Sequence, residues 1–115
     1  MTSVPGDITP NVTELDLNQN DITRIQQTDF NDKYTNLVYL QLSNNDITSM
    51  EIGCFKGTIL KTLLLKSNKM TAIPDLREVG NTLEILNLGS NEITTITVDE
   101  LSYLTELTDL YLFDN

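Results

Sequence analysis

Apolar residues recur along this chain in one arrangement: an aliphatic residue, two positions, Leu, one position, Leu, two positions, Asn, one position, and a further apolar residue. Val12, Leu15, Leu17, Asn20 and Ile22 make the first copy, and Leu37, Leu40, Leu42, Asn45 and Ile47 the second. The third copy is Leu60, Leu63, Leu65, Asn68 and Met70, and the fourth is Leu83, Leu86, Leu88, Asn91 and Ile93. Leu107, Leu110 and Leu112 open a fifth, which stops at Asn115. Successive copies start 25, 23, 23 and 24 residues apart. In an extended strand, residues two apart share a side, so the paired leucines point together into a core and the residues between them point out. The Asn sets an amide among apolar neighbours. That suits a buried ladder in which each side chain bonds backbone groups where the chain leaves the strand; a row of exposed turn asparagines is the alternative.

Self-similarity at this period, with this consensus, resembles the leucine-rich repeat. The resemblance implies an α/β repeat fold. It would be a right-handed leucine-rich-repeat solenoid, or horseshoe, with a parallel β-sheet on the concave face and mostly irregular or short helical convex segments. Further along each copy, Ile25, Met50, Ile73 and Ile96, then Phe30, Phe55 and Leu101, are expected to fill the core beneath the convex side. The third copy departs, offering Leu76 and Val79 after Pro74, so its return segment should be shaped differently. Residues 1–115 thus read as a single domain, with repeats starting at 12, 37, 60 and 83 and a partial repeat at 107. Each repeat buries its apolar side only by stacking on the next, so the terminal ones need cover. Val4 to Pro10 are placed to lie over the first. Nothing follows Asn115 to cover Leu107, Leu110 and Leu112, and the expectation is that the natural chain continues or that this end packs on another molecule.

The chain is similar, more narrowly, to extracellular leucine-rich-repeat receptors, especially the variable lymphocyte receptors of jawless vertebrates and the ectodomains of Toll-like receptors. Met1 to Leu17, with Ser3-Val4-Pro5 and Pro10-Asn11-Val12-Thr13-Glu14-Leu15-Asp16-Leu17, echoes the stretch that ends their N-terminal cap. Phe30 and Phe55 match the phenylalanine position of their repeat. The resemblance implies that residues 1–11 are a cap remnant, that the protein is extracellular or cell-surface, and that it recognises antigen. The disulfide-bearing part of that cap and the cysteine-rich C-terminal cap have no counterpart here, so a trimmed fragment or a minimal relative is expected.

Charge narrows the partners. Seventeen acidic against seven basic residues, with no His, give a formal charge of -10. That opposes binding to nucleic acid, whose phosphates need Lys and Arg. No apolar run reaches the ~18 residues that cross a bilayer, and Met1 to Asp7 lack the basic and apolar segments of a secretion signal. No membrane insertion is expected. A nucleophilic mechanism lacks a His to pair with Cys54 or a Ser, and no phosphate-cradling glycine loop is present, so no catalytic residues, cofactor or metal are assigned. Asp21, Asp46 and Glu92 recur after the Asn but without a calcium-loop motif. Cys54 reads as a half-buried, inert thiol, with interchain pairing as the alternative. Asn11-Val12-Thr13 fits the glycosylation sequon, which matters only in a secreted eukaryotic protein.

The outward strand positions map the expected binding face. They are Glu14, Asp16, Asn18 and Gln19, then Tyr39, Gln41 and Ser43, then Thr62, Leu64 and Lys66. Ile85, Asn87 and Gly89 follow, with Glu84 at the edge, and Asp109, Tyr111, Phe113 and Asp114 close the row. Glu14 and Asp16 face Asp109 and Asp114 from about 19 Å away, across four strand spacings. Leu64, Ile85, Tyr111 and Phe113 point outward where a solvated sheet carries polar residues. Two readings of these features stand. The acids are either a solvated surface or a site for a cationic or sugar-bearing target, such as an amine-bearing wall polymer or a basic protein patch. The repeat-five aromatics either join that site or meet a further neighbour. The expected function is non-enzymatic, immune receptor-like recognition of a microbial cell-surface component or protein antigen. The alternative is an adhesion or scaffold fragment, self-associating through repeat five.

Overall fold

The computed structural model describes all of residues 1–115. Seven short strands follow one another: β1 (Glu14–Asp16), β2 (Arg24–Ile25), β3 (Tyr39–Gln41), β4 (Ser49–Met50), β5 (Thr62–Leu64), β6 (Ile85–Asn87) and β7 (Asp109–Tyr111). Five of them form one parallel sheet in the order β1-β3-β5-β6-β7, and β2 and β4 make a second parallel pair on the opposite side. The main sheet is in strict register, with Leu15, Leu40, Leu63, Leu86 and Leu110 side by side. The convex segments are a single helical turn, α1 (Gln27–Phe30), two 3-10 turns at Arg77–Val79 and Val98–Glu100, and irregular chain. This is the leucine-rich-repeat solenoid expected from the periodicity.

What ends each strand is the asparagine. The Asn68 amide nitrogen donates to the Leu42 carbonyl of the preceding repeat at 3.0 Å and to its own Leu65 carbonyl at 3.1 Å, while its oxygen accepts the Ile47 N–H at 3.0 Å. Asn45 and Asn91 repeat this set of partners one turn earlier and one turn later. The Leu65 carbonyl therefore receives both Asn68 and Asn91, using both lone pairs. Asn45, Asn68 and Asn91 are all buried. The residue just before each Asn takes a left-handed conformation: Gln19, Asn44, Ser67, Ser90 and Asp114 have φ between 54° and 59°. A non-glycine residue there costs about 1 kcal/mol, so the ladder must hold the turn against local preference.

Below the sheet runs one continuous core in which Ile22, Leu37, Leu40, Leu42, Ile47, Leu60, Leu63, Leu65, Leu83, Leu86 and Leu88 are fully buried. Phe30 lies 5.5 Å from Phe55 and 5.9 Å from Tyr34, ring centre to ring centre. Repeat three diverges as expected: Leu76 and Val79 are buried, and the Leu76 N–H is accepted by the Tyr103 hydroxyl of repeat four at 2.8 Å. Val4 is buried over repeat one, and the Met1 carbonyl accepts the Asp21 N–H. That bond repeats the ones by which Ile22, Ile47 and Met70 accept from Asp46, Lys69 and Glu92.

Two expectations about the core fail. Ile96 does not fill the core: it is 44% exposed, because the convex row Ile25, Met50, Ile73 has no later turn to close over its last member. Cys54 is not half-buried but fully so. A tight turn, in which its N–H donates to the Glu51 carbonyl, directs it inward, and burial pushes its thiol up to about 12.

The ladder should carry stability unevenly. Asn68→Ala orphans the buried Ile47 N–H and is expected to cost about 2–4 kcal/mol in urea unfolding, whereas Asn115→Ala, at an exposed rung, should cost about 1 kcal/mol or less. The two inner tyrosines should respond oppositely. The Tyr34 hydroxyl is buried with no partner, so Tyr34→Phe is expected to be neutral or stabilising. Tyr103→Phe removes the acceptor of Leu76 N–H and should destabilise by about 1 kcal/mol.

Candidate binding surface

Strand register arranges the outward side chains in straight rows across the concave face. The first row is Glu14, Tyr39, Thr62, Ile85 and Asp109, and the second is Asp16, Gln41, Leu64, Asn87 and Tyr111. One residue past each strand's last core Leu comes a third row, Asn18, Ser43, Lys66, Gly89 and Phe113. The structure thus brings Glu14, Asp16, Tyr39, Gln41, Leu64, Lys66, Ile85, Asn87, Asp109, Tyr111 and Phe113 onto one surface. Asp114 sits apart from these rows, on the left-handed turn position it shares with Gln19 and Ser90.

Several of these side chains also serve the fold. In the second row Asp16, Gln41 and Asn87 each accept the backbone N–H two residues on, at 2.9 Å in all three cases. Asp16 is therefore exposed yet tied down, with one carboxylate oxygen facing Asn18 N–H. In the third row Ser43 and Gly89 are buried rather than outward. Gly89 is buried by Phe113: a Cβ on Gly89 would lie 2.5 Å from the ring. Phe113 folds back over the preceding repeat, and the Lys66 ammonium stands 5.5 Å from the ring centre, within cation-π range. This Lys66-Gly89-Phe113 stack was not foreseen from the sequence. Its signal was a lone Gly in a row otherwise bearing side chains, followed one repeat later by the row's only aromatic.

The face holds three carboxylates, Glu14, Asp16 and Asp109, against one ammonium, Lys66. The molecule's ion pairs lie elsewhere, at Lys56–Asp32, Lys69–Asp46 and Arg77–Asp75. Lys69 takes the post-Asn place in repeat three and pairs with Asp46 at 3.3 Å, which breaks up the row of Asp21, Asp46 and Glu92. A separate cleft of about 230 Å³ between the return segments of repeats three and four is lined by Ile73, Asp75, Arg77, Asp99, Glu100 and Tyr103. Most of its polar groups are bonded within the chain: Arg77 pairs with Asp75 at 3.1 Å, and Glu100 accepts Thr97 N–H at 2.8 Å. Burial raises the Tyr103 hydroxyl above its ordinary range, partly offset by the N–H it accepts from Leu76.

The leucine rich repeat pattern matches residues 10–70 and again residues 58–115. The chain belongs to the leucine-rich-repeat family. Biglycan of Sus scrofa is 32% identical over the whole of this chain, which covers 42% of that protein. The oligodendrocyte-myelin glycoprotein of Homo sapiens is 30% identical over the whole chain, covering 26% of its length. A solved leucine-rich-repeat protein of Leptospira interrogans superposes on 98% of this chain with a TM-score of 0.79 and 29% identity, the match covering 29% of that protein. The chain thus spans less than half the length of each.

In this leucine-rich-repeat domain the Phe113 stack can be undone without touching the core. Gly89→Ala meets only the far edge of an exposed ring, so the ring should swing away. The expected result is loss of the Lys66-to-Phe113 contact in NMR spectra, with unfolding stability changed by no more than about 1 kcal/mol.

Proposed function

We propose that this domain is a non-enzymatic recognition module of the immune receptor type, acting outside the cell or on its surface. Its concave sheet would hold a microbial surface component or another antigen. The observation that carries this reading is the composition of that sheet. Leu64, Ile85, Tyr111 and Phe113 present apolar surface beside exposed, unpaired carboxylates, on the one face where register makes the outward residues contiguous. Apolar and aromatic side chains held out of a core mark binding surfaces, and carboxylates beside them set the sign of the target. The likeness of Met1 to Leu17 to the N-terminal cap of variable lymphocyte and Toll-like receptors supports the immune side of the reading.

A second reading, adhesion or scaffolding by self-association, is favoured by β7. That strand pairs only with β6, and Leu110 in it is 36% exposed. Sedimentation separates the two: a monomer at low micromolar concentration supports recognition through a free face, and a persistent dimer that protects repeat five supports the second.

The test is binding of the purified chain to intact Gram-positive and Gram-negative bacteria, beside a variant carrying Glu14→Gln, Asp16→Asn, Asp109→Asn and Asp114→Asn. Asn at position 16 keeps an acceptor for Asn18 N–H, as Asn87 does in repeat four, so the variant should fold as the parent does. Expected are binding by the parent that weakens with salt and a loss of about tenfold in the variant at low ionic strength. No binding to either cell type, or equal binding by parent and variant, would refute a charge-steered surface.

A further inference from the structure

The concave face changes character along the stack. We infer that its partner is a polypeptide, an extended segment lying across the strands with a Lys or Arg over repeat one and an aliphatic or aromatic side chain over repeats three to five. This rests on the recognition reading above and adds the chemistry and direction of the occupant. Over the first two repeats the three rows hold Glu14, Asp16, Asn18, Tyr39, Gln41 and Ser43, with no cation among them. Neither Glu14 nor Asp16 enters an ion pair, and both are exposed. Asp16 gives one oxygen to Asn18 N–H and keeps the other for a partner.

The other half is apolar. Leu64 and Ile85 sit on β5 and β6, which are paired on both sides, so their half-exposure is a property of the sheet face and not of an end. Tyr111 and Phe113 extend the patch at 44% and 45% exposure. The one cation of this half, Lys66, is turned onto the Phe113 ring, which leaves the acids of repeat one without a local counterion. An amine-bearing sugar polymer would satisfy Glu14 and Asp16 and stack on Tyr111, but it offers no aliphatic side chain to Leu64 and Ile85. A polypeptide can match both halves. With strands about 4.8 Å apart, Leu64 lies about 10 Å from Asp16 and Tyr111 about 19 Å, which an extended chain covers in about three to six residues.

The experiment pans a phage-displayed library of random peptides, about twelve residues long to exceed that span, over the full chain, with a glycan array run in parallel. Enriched peptides should pair a Lys or Arg with Leu, Ile, Phe or Trp about three to six residues away. A synthetic enriched peptide should bind the double variant Glu14→Gln, Asp16→Asn about tenfold more weakly, and that loss should shrink as salt rises. Leu64→Thr with Tyr111→Ser should weaken it by about as much at every salt concentration. Replacing the peptide's basic residue by Ala should couple to the first variant and not to the second. No enrichment, enriched peptides without this pairing, affinity indifferent to both variants, or selection of glycans in place of peptides would each overturn the inference. Cells play no part in the assay, so its failure leaves the recognition reading to the bacterial test, and a negative bacterial test leaves the peptide result standing.

Discussion

Everything in this molecule hangs on an asparagine amide that recurs once per repeat and is buried in the three inner ones. A strand of three residues is too short to fix its own end, and the turn after it uses left-handed residues that are not glycine. The Asn side chain supplies what that turn lacks. It gives protons to two carbonyls and takes one from a backbone N–H, and each bond to a neighbouring repeat stops that repeat from sliding. A slip of one residue would put the leucines outside and also orphan the ladder in low dielectric, where unpaired polar groups are costly. Core and ladder therefore select the same register for different physical reasons.

Strict register frees the concave face from the core. Because Leu63 and Leu86 do the burying, Thr62 and Leu64 are released to face outward, and rows of unrelated side chains result. The freedom is incomplete. Asp16, Gln41 and Asn87 each close a small turn by accepting an N–H, while at the same position Leu64 has no side-chain acceptor to offer and the Tyr111 hydroxyl, at the far end of its ring, does not reach back. Where the face becomes apolar, at Leu64, the bond is lost for want of an acceptor. Surface chemistry has there displaced a local stabilising contact.

The sequence made the repeat, the core leucines, the ladder and the parallel sheet legible, since each depends on a residue's own position within its copy. It also ordered the outward residues within the five strands correctly, while Ser43, Gly89 and Asp114 beyond the strand ends lie elsewhere than expected. It could not show what depends on contact between copies. Gly89 beneath Phe113, Ser43 out of water and Lys66 turned onto a ring are relations between side chains about 24 residues apart, and none follows from alternation. Ile96 misled for a related reason: its type fits the convex row, but a row position buries a residue only when a further turn lies over it. Cys54 was placed too near the surface because the turn at Glu51 directs it inward, and the one mark of that turn, Gly53 with φ 79°, was not used.

Repeat five shows how the two surfaces of the solenoid support each other. Its core leucines are the least covered, with Leu110 at 36% exposure where Leu86 has none. The hydrophobic contribution that fixes the inner repeats is weakest there. Its other ties run backward. Asn115 donates to the Leu88 carbonyl and accepts Ile93 N–H, the Thr108 and Asp109 N–H groups both donate to Glu84, and Phe113 lies on Gly89 under Lys66. The repeat is thus held by its ladder and its concave side chains as well as by its thinner core. Segments with little buried apolar contact open first, so a ligand that covers Tyr111 and Phe113 would stabilise repeat five as it binds. Two of the four apolar residues of the concave face, Tyr111 and Phe113, therefore lie on the repeat with the least buried core.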